Sequence, residues 1–245
     1  MLHRYFDKIY FINLDRDYTR RERCEKLFRD LDIQVERFAG IDVQKEKEKC
    51  NYYNNIIFSD TLKESELGCL LSHISIIKNA INKGYKSIII FEDDIEFCQN
   101  FIEQFENYYR QLPDDWCLLY FSGNHLETPH LLSNNIMRVK KTLTTHSYAI
   151  KKDLFKTILE HPMLFHQPID IFYAKYIQPY YPSYCFYPHL TYQRNTYSNI
   201  QNKPVNYAFI QNYQLPITVN YIFKRPSDAI RRIIKKFISK FNKIF

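Results

Sequence analysis

The stretch Ser87-Ile88-Ile89-Ile90-Phe91, followed at once by Glu92-Asp93-Asp94, constrains this chain more than any other. Four bulky apolar residues in an unbroken run read as a buried strand. Three acids behind it place a dense negative charge where that strand ends. In open α/β sheets, ligands bind outside the carboxyl ends of the strands.

Other segments supply the rest of such a sheet. Lys8–Leu14, Gln34–Ala39, Trp116–Phe121, Arg138–Lys141 and Ser147–Ile150 read as further strands. Helical spacing runs through Asp17–Leu31, with Cys24, Leu27, Phe28 and Leu31 on one face. It recurs in Leu67–Lys83, where Leu70, Leu71, Ile74, Ile77 and Ile81 form one stripe and Gly84 supplies the C-cap. Phe101–Leu112 is helical and stops at Pro113, Asp153–His161 is a further helix, and Ile169–Tyr176 a short one. Gln44–Ile56 is polar and reads as loop. Strand and helix alternate through the first 120 residues, the pattern of a largely parallel α/β sheet.

The chain holds only 4 glycines and neither a G-x-G-x-x-G nor a Walker-type loop, so any phosphate must be held another way. Its formal charge is +7, and the whole excess lies from Lys224 onward, where eight bases face one acid. The remaining 26 bases and 26 acids cancel, so the body offers no basic track and nucleic acid is not an expected partner. In the tail, Ile230, Ile233, Ile234, Phe237, Ile238, Phe241 and Ile244 recur at three- and four-residue steps, with Lys and Arg on the other face. This is a basic amphipathic helix, suited either to an anionic membrane surface or to packing on the body. Six cysteines show no C-x-x-C spacing, and Cys69 and Cys117 read as small core hydrophobes. With no signal-peptide pattern and no apolar stretch of the ~18 residues a membrane span needs, the expected location is cytoplasmic, peripheral on the inner face of the membrane.

Three adjacent carboxylates repel one another unless a cation or partners compensate. A hard divalent ion would do this and would bridge a diphosphate. The other reading is an acidic turn that caps the next helix. Arg16, Arg20 and Arg21 follow the first strand and suit a diphosphate, or form a solvated helix face. Asp170 lies among Pro168, Ile169, Ile171 and Phe172, as a general base or as an N-cap.

Taken in order, these blocks resemble glycosyltransferase family 25. They are Ile12-Asn13-Leu14-Asp15-Arg16 with Arg20-Arg21, Arg37-Phe38-Ala39-Gly40-Ile41-Asp42, Glu66-Leu67-Gly68-Cys69-Leu70-Leu71-Ser72-His73, and Ile90-Phe91-Glu92-Asp93-Asp94. Thr145–Ile150, Pro168-Ile169-Asp170 and Gln193 with Ser198-Asn199-Ile200 match more loosely. The sequence departs from the family at Asn199, where an acid is usual, and at Asp42-Val43, where bacterial members often show Asp-Gly.

The resemblance implies a GT-A-like single domain with a mostly parallel central sheet over 1–200. An irregular connection over 201–223 and the basic helix over 224–245 follow it. It implies a UDP-sugar donor, galactose foremost, and Mn2+ or Mg2+. The expected acceptor is a glycan or glycolipid, such as lipooligosaccharide or lipopolysaccharide core, because the basic tail would hold the enzyme at an anionic inner membrane surface. By resemblance Glu92 and Asp94 ligate the metal, with His189 as a candidate third ligand. Asn13, Arg16, Arg20, Asp42, Ser72, His73, Glu92, Asp93 and His146 bind the nucleotide-sugar, and Asp170 is the base of an inverting transfer. Two rival functions stay open on the residues alone: a membrane-associated interaction module without catalysis, and a metal-dependent phosphoryl enzyme.

Overall fold

The computed structural model describes residues 2–45, 62–195, 197–198 and 203–215. The chain divides into two units, 1–213 and 214–245. Of the second, only Gln214 and Leu215 are described, so the basic helix expected over 224–245 lies outside the described residues. Most of the loop expected over 44–56 and the Asn199-Ile200 pair also lie outside them.

Strand β1 (Lys8–Asn13) leads into helix α1 (Tyr18–Asp30) and returns as β2 (Glu36–Ala39), parallel to β1. Helix α2 (Glu64–Lys83) then feeds β3 (Ser87–Glu92), which pairs in parallel with the other side of β1. The register sets Phe11 opposite Phe91 and Ile12 opposite Glu92, so both strands end at one level. After β3 come β4 (Ile95–Phe97), α3 (Phe101–Tyr109), β5 (Leu118–Tyr120), β6 (Asn124–His125) and β7 (His130–Leu131). The order continues through β8 (Ile136–Arg138), β9 (Thr142–Leu143), β10 (Ser147–Lys151), α4 (Lys152–Leu159) and α5 (Ile169–Phe172). A π-helical turn over Tyr173–Ile177 precedes β11 (Ser183–Phe186) and β12 (Thr191–Gln193).

Eight strands form one sheet in the order β2-β1-β3-β10-β5-β11-β8-β7. All but β10 and β8 run in one direction, which gives the mostly parallel GT-A-like α/β sheet that the resemblance implies. Strand β3 is central and buried along Ser87–Phe91. The core on one face of the sheet is built largely from aromatic residues. Phe11, Phe28, Phe91, Phe101, Phe105, Phe121 and Phe186 are all buried there. Their rings meet at separations such as 5.5 Å for Phe28–Phe91 and 5.3 Å for Phe121–Phe186. Edge-on and offset contacts of this kind add to the area each ring buries.

Several details differ from the sequence reading. Ile81 is exposed at 42%, whereas Ile76 and Ala80 are fully buried, so the buried face of α2 is broader and turns away one step earlier than the predicted stripe. Gly84 does close α2, in the left-handed conformation with φ 70°. Cys69 and Cys117 are only partly buried, while Cys24 and Cys185 occupy the core. Strand β11 carries no strand signal of its own, because Ser-Tyr-Cys-Phe is short and mixed in polarity. All four of its residues are nonetheless buried between β5 and β8. The compact unit runs to Tyr213 and includes helix α6 (Ala208–Gln211), in a stretch expected to be irregular.

Candidate active site

The three acids do not cap a helix. Glu92 ends β3, and Asp93-Asp94 turn the chain back into β4, which pairs antiparallel with β12. Helix α3 begins only at Phe101, with Asn100 at its N-cap. The turn aims the three side chains differently, and each meets a different environment.

Asp93 is held from inside the protein. Its Oδ2 accepts a hydrogen bond from Asn13 Nδ2 at 2.7 Å and its Oδ1 accepts from an Arg20 guanidinium nitrogen at 2.9 Å. Its carbonyl accepts from Arg23 at 2.8 Å and from the Cys24 thiol at 3.2 Å. Asn13 is equally occupied: its amide also donates to the Asp17 carbonyl, and its Oδ1 accepts from Arg37 Nε at 3.1 Å. Asn13, Arg20, Arg23 and Asp93 therefore form a knot that fixes α1 against the end of β3.

Glu92 faces the open side. Thr145 Oγ1 donates to its Oε1 at 2.9 Å, and His73 Nε2 stands 3.4 Å from the same oxygen. Burial pushes its carboxyl up, but His73, His146 and Thr145 outweigh this and hold it below the usual range. Asp94 has the opposite balance. Burial, then the charges of Glu92 and Asp93, push it up to about 7. Gln193 Nε2 donates to its Oδ2 at 3.3 Å, while its Oδ1 is buried with no hydrogen-bond partner. A carboxylate oxygen buried without a donor is costly. A divalent cation with a preference for oxygen ligands would remove that cost. Asp94, next to Glu92 in the acidic turn, thus offers such an ion an oxygen, whereas both carboxylate oxygens of Asp93 already accept a hydrogen bond.

Glu92 opens on a cleft of about 170 Å³ at the ends of β1, β2 and β3, whose walls include Arg16, Asp42, Cys69, Ser72 and His73. Arg16 forms an ion pair with Asp42 at the wall. Ser72 Oγ accepts from the Ile41 amide at 2.8 Å and donates to the Gly68 carbonyl at 2.7 Å, tying α2 to the loop after β2. Gly68 allows that approach: a Cβ there would stand 2.5 Å from the Ile41 carbonyl oxygen. His73 is fully buried, with Nδ1 3.0 Å from the Tyr148 hydroxyl. Arg21 does not join the cleft and pairs with Glu25 on the surface of α1.

Asp170 stands in the first turn of α5 behind Pro168, which holds the N-cap position that the alternative reading gave to the acid. Its Oδ2 accepts from the Thr144 amide at 3.2 Å and its Oδ1 from the Ile171 amide at 2.8 Å. Burial pushes its pKa up, with a further push from Glu92. Thr144 has φ 75°, an unfavourable backbone for a β-branched residue. The segment Thr144–His146 thereby touches both acids: Thr144 reaches Asp170, Thr145 reaches Glu92, and the His146 carbonyl accepts from the Glu92 amide at 2.8 Å.

Of the predicted residues, Arg20, Asp94, His146, Asp170 and His189 do not line the cleft. The His146 ring is fully buried and meets Ser122 through Nε2, and burial pushes it down to about 4. Both nitrogens of His189 are engaged elsewhere, Nδ1 with the Ile210 carbonyl at 3.0 Å and Nε2 with His125 Nε2 at 3.2 Å. It is therefore placed with His125 and Cys185 rather than with Glu92 and Asp94. The roles of Thr144, His125 and Cys185 carry no local sequence signal, since each depends on a partner far along the chain, and Arg37 and Thr145 appear there only as members of matching blocks. Gln193 is visible in the sequence only as part of a loosely matching block.

The family model for "Glycosyltransferase family 25 (LPS biosynthesis protein)" matches residues 6–241. A "Glycosyltransferase 25 family member" of Drosophila melanogaster is 32% identical over 114 residues, 43% of this chain and 17% of that protein. A "Procollagen galactosyltransferase 2" of Mus musculus is 25% identical over 164 residues, 59% of this chain and 26% of its own length. A "Probable inactive glycosyltransferase 25 family member 3" of Bos taurus is 28% identical over 133 residues, 47% of this chain and 21% of its own length. The chain thus spans about a sixth to a quarter of these longer relatives.

Proposed function

The chain belongs to glycosyltransferase family 25, and on that premise we propose that it is an active, metal-dependent, inverting glycosyltransferase. It moves a sugar from a UDP-sugar to a hydroxyl of a glycan acceptor. The observation that carries this reading is Asp94, half-buried with one carboxylate oxygen buried and unpartnered, beside Glu92 at the end of β3. A protein that merely scaffolds has no reason to keep that cost.

Glu92 and Asp94 would hold Mn2+ or Mg2+, which supplies charge neutralisation for a departing diphosphate. The other residues bind, orient and move a proton. The cleft beside Glu92 takes the nucleotide, with Arg16 for phosphate and Asp42 for the ribose hydroxyls. Asn13, Arg20 and Asp93 act by position, since their polar atoms are spent on one another. Ser72 and His73 shape the α2 wall. Asp170 accepts the acceptor hydroxyl's proton. The Thr144 and Ile171 amides orient its carboxylate, and its raised pKa makes it a stronger base than an exposed aspartate.

Galactose is the favoured sugar because the mouse relative is named for it. A lipooligosaccharide or lipopolysaccharide core glycan is the favoured acceptor because the family is described by LPS biosynthesis. The eight bases of 224–245 would hold the enzyme at the anionic inner membrane surface, where a lipid-carried glycan is presented. No described helix is long and apolar enough to cross a membrane. The phosphoryl-enzyme reading has less support, since one of the three acids is locked by Asn13 and Arg20 and the body carries no net charge.

Thermal unfolding with Mn2+, with UDP, and with both tests the proposal. A ligand bound only to the native state at 100 times its dissociation constant adds about 2.7 kcal/mol. A shift that is largest with both together supports a nucleotide seated beside the metal. No shift under any condition, with no transfer from a panel of UDP-sugars, overturns it.

A further inference from the structure

We propose that His125, Cys185 and His189 form a second metal site, separate from the acidic cluster and suited to zinc. The three come from β6, from β11 and from the turn between β11 and β12, and only the fold brings them together. One ligand atom from each lies within 4.8 Å of the other two. The two Nε2 atoms are 3.2 Å apart. Two imidazole nitrogens bound at ~2.0–2.1 Å to a tetrahedral ion stand about 3.3–3.4 Å apart, so the pair is already close to ligand spacing.

The hydrogen bonds behind the rings point the same way. The Ile210 carbonyl can only accept, so His189 Nδ1 carries the proton and the Nε2 lone pair of the neutral ring faces His125. The Thr142 hydroxyl, 2.7 Å from His125 Nδ1, can accept in the same manner. A ligating histidine characteristically donates its other N–H to an oxygen in this way. Cys185 and His189 are buried, and Cys185 has only a long contact of 3.5 Å from its sulfur to the Phe186 carbonyl. Tyr213 stacks on His189 at 5.5 Å and meets His125 edge-on at 4.7 Å, which covers the cluster.

One thiol and two imidazoles are a borderline-soft donor set, which selects zinc over magnesium or manganese. As the zinc–sulfur bond forms, the Cys185 proton leaves to solvent and the sulfur binds as thiolate. The ion would clip β6 to β11 and, through Ile210 and Tyr213, secure α6. The inference does not depend on the glycosyltransferase reading.

The test uses the full chain, stripped with chelator and then titrated with zinc alone or cobalt(II) alone. One zinc per chain is expected, together with a thiolate-to-cobalt charge-transfer band. Cys185→Ser should remove that band, and His125→Ala should weaken zinc binding by more than the ~10–100-fold that losing a hydrogen bond behind a ligand costs. Circular dichroism confirms that each variant is folded. Asp94→Asn should keep both the zinc and the band. No stoichiometric zinc, an unchanged cobalt spectrum in Cys185→Ser, or loss of the zinc in Asp94→Asn would each overturn the site. The first of these would leave His125 and His189 as a plain hydrogen-bonded pair.

Discussion

Asp94→Asn separates what the acidic turn does for stability from what it does for chemistry. An aspartate in an unfolded chain titrates near ~3.9, and in the metal-free fold Asp94 titrates at about 7. The folded state holds its proton more tightly, so the unfolded state binds fewer protons and stability falls as pH rises. The loss begins near the unfolded value, accumulates between about pH 4 and pH 7, and levels off above that. Holding the proton up to about pH 7 instead of ~3.9 amounts to about 4 kcal/mol at pH 8, of which roughly a third is already lost at pH 5. Asparagine cannot ionise and escapes this cost. In chelator, urea unfolding of Asp94→Asn minus wild type should therefore rise by about 2–3 kcal/mol from pH 5 to pH 8 and then flatten. Manganese should shrink the difference by stabilising the wild type at pH 8, and turnover of Asp94→Asn should be abolished. A difference that does not change with pH, or a variant less stable than wild type at pH 8, would refute the electrostatic argument. Wild-type turnover in the variant would refute the metal assignment.

Asp170→Asn should lower turnover by at least about 100-fold, the usual contribution of a general base, with little change in UDP affinity by calorimetry; an unchanged rate would place the base elsewhere. Gly68→Ala drives a Cβ to 2.5 Å from the Ile41 carbonyl oxygen, so it should cost about 1–3 kcal/mol in urea unfolding and weaken UDP binding through the displaced loop. Phe105→Ala, in the centre of the aromatic core, should cost about 3–5 kcal/mol in the same assay with the UDP affinity of the folded fraction unchanged. Removal of 224–245 should abolish binding to anionic vesicles while transfer to a soluble acceptor persists; equal vesicle binding by the shortened chain would sink the tail proposal.

Periodicity locates the elements where a single pattern dominates. The run Ser87–Phe91 is buried on both faces and so needs no alternation, and it is legible as β3. The stripe and terminal glycine of α2 are legible for the same reason, although its N-terminus begins earlier, at Glu64. Strands β4, β11 and β12 are not legible. Each has three or four residues of mixed polarity, and each is a strand because a partner completes its hydrogen bonds. The element boundary at Leu112 also falls too far along, since α3 ends at Tyr109, before the turns that precede Pro113.

The sequence by itself determined the central strand, the acid cluster at its end and the order of the four early blocks. Those features are local, and local composition decides them. It could say that three carboxylates are adjacent, but not that they diverge. Only the tertiary structure decided that Asp93 turns inward to Asn13 and Arg20, that Glu92 meets Thr145 and His73, and that one oxygen of Asp94 is left unpartnered. The same holds for His189, whose neighbours His125 and Cys185 come from distant segments. A carboxylate or an imidazole takes its chemistry from desolvation and from the charges within a few ångströms. Those neighbours are set by which strands the sheet places side by side, and adjacency along the chain does not report them.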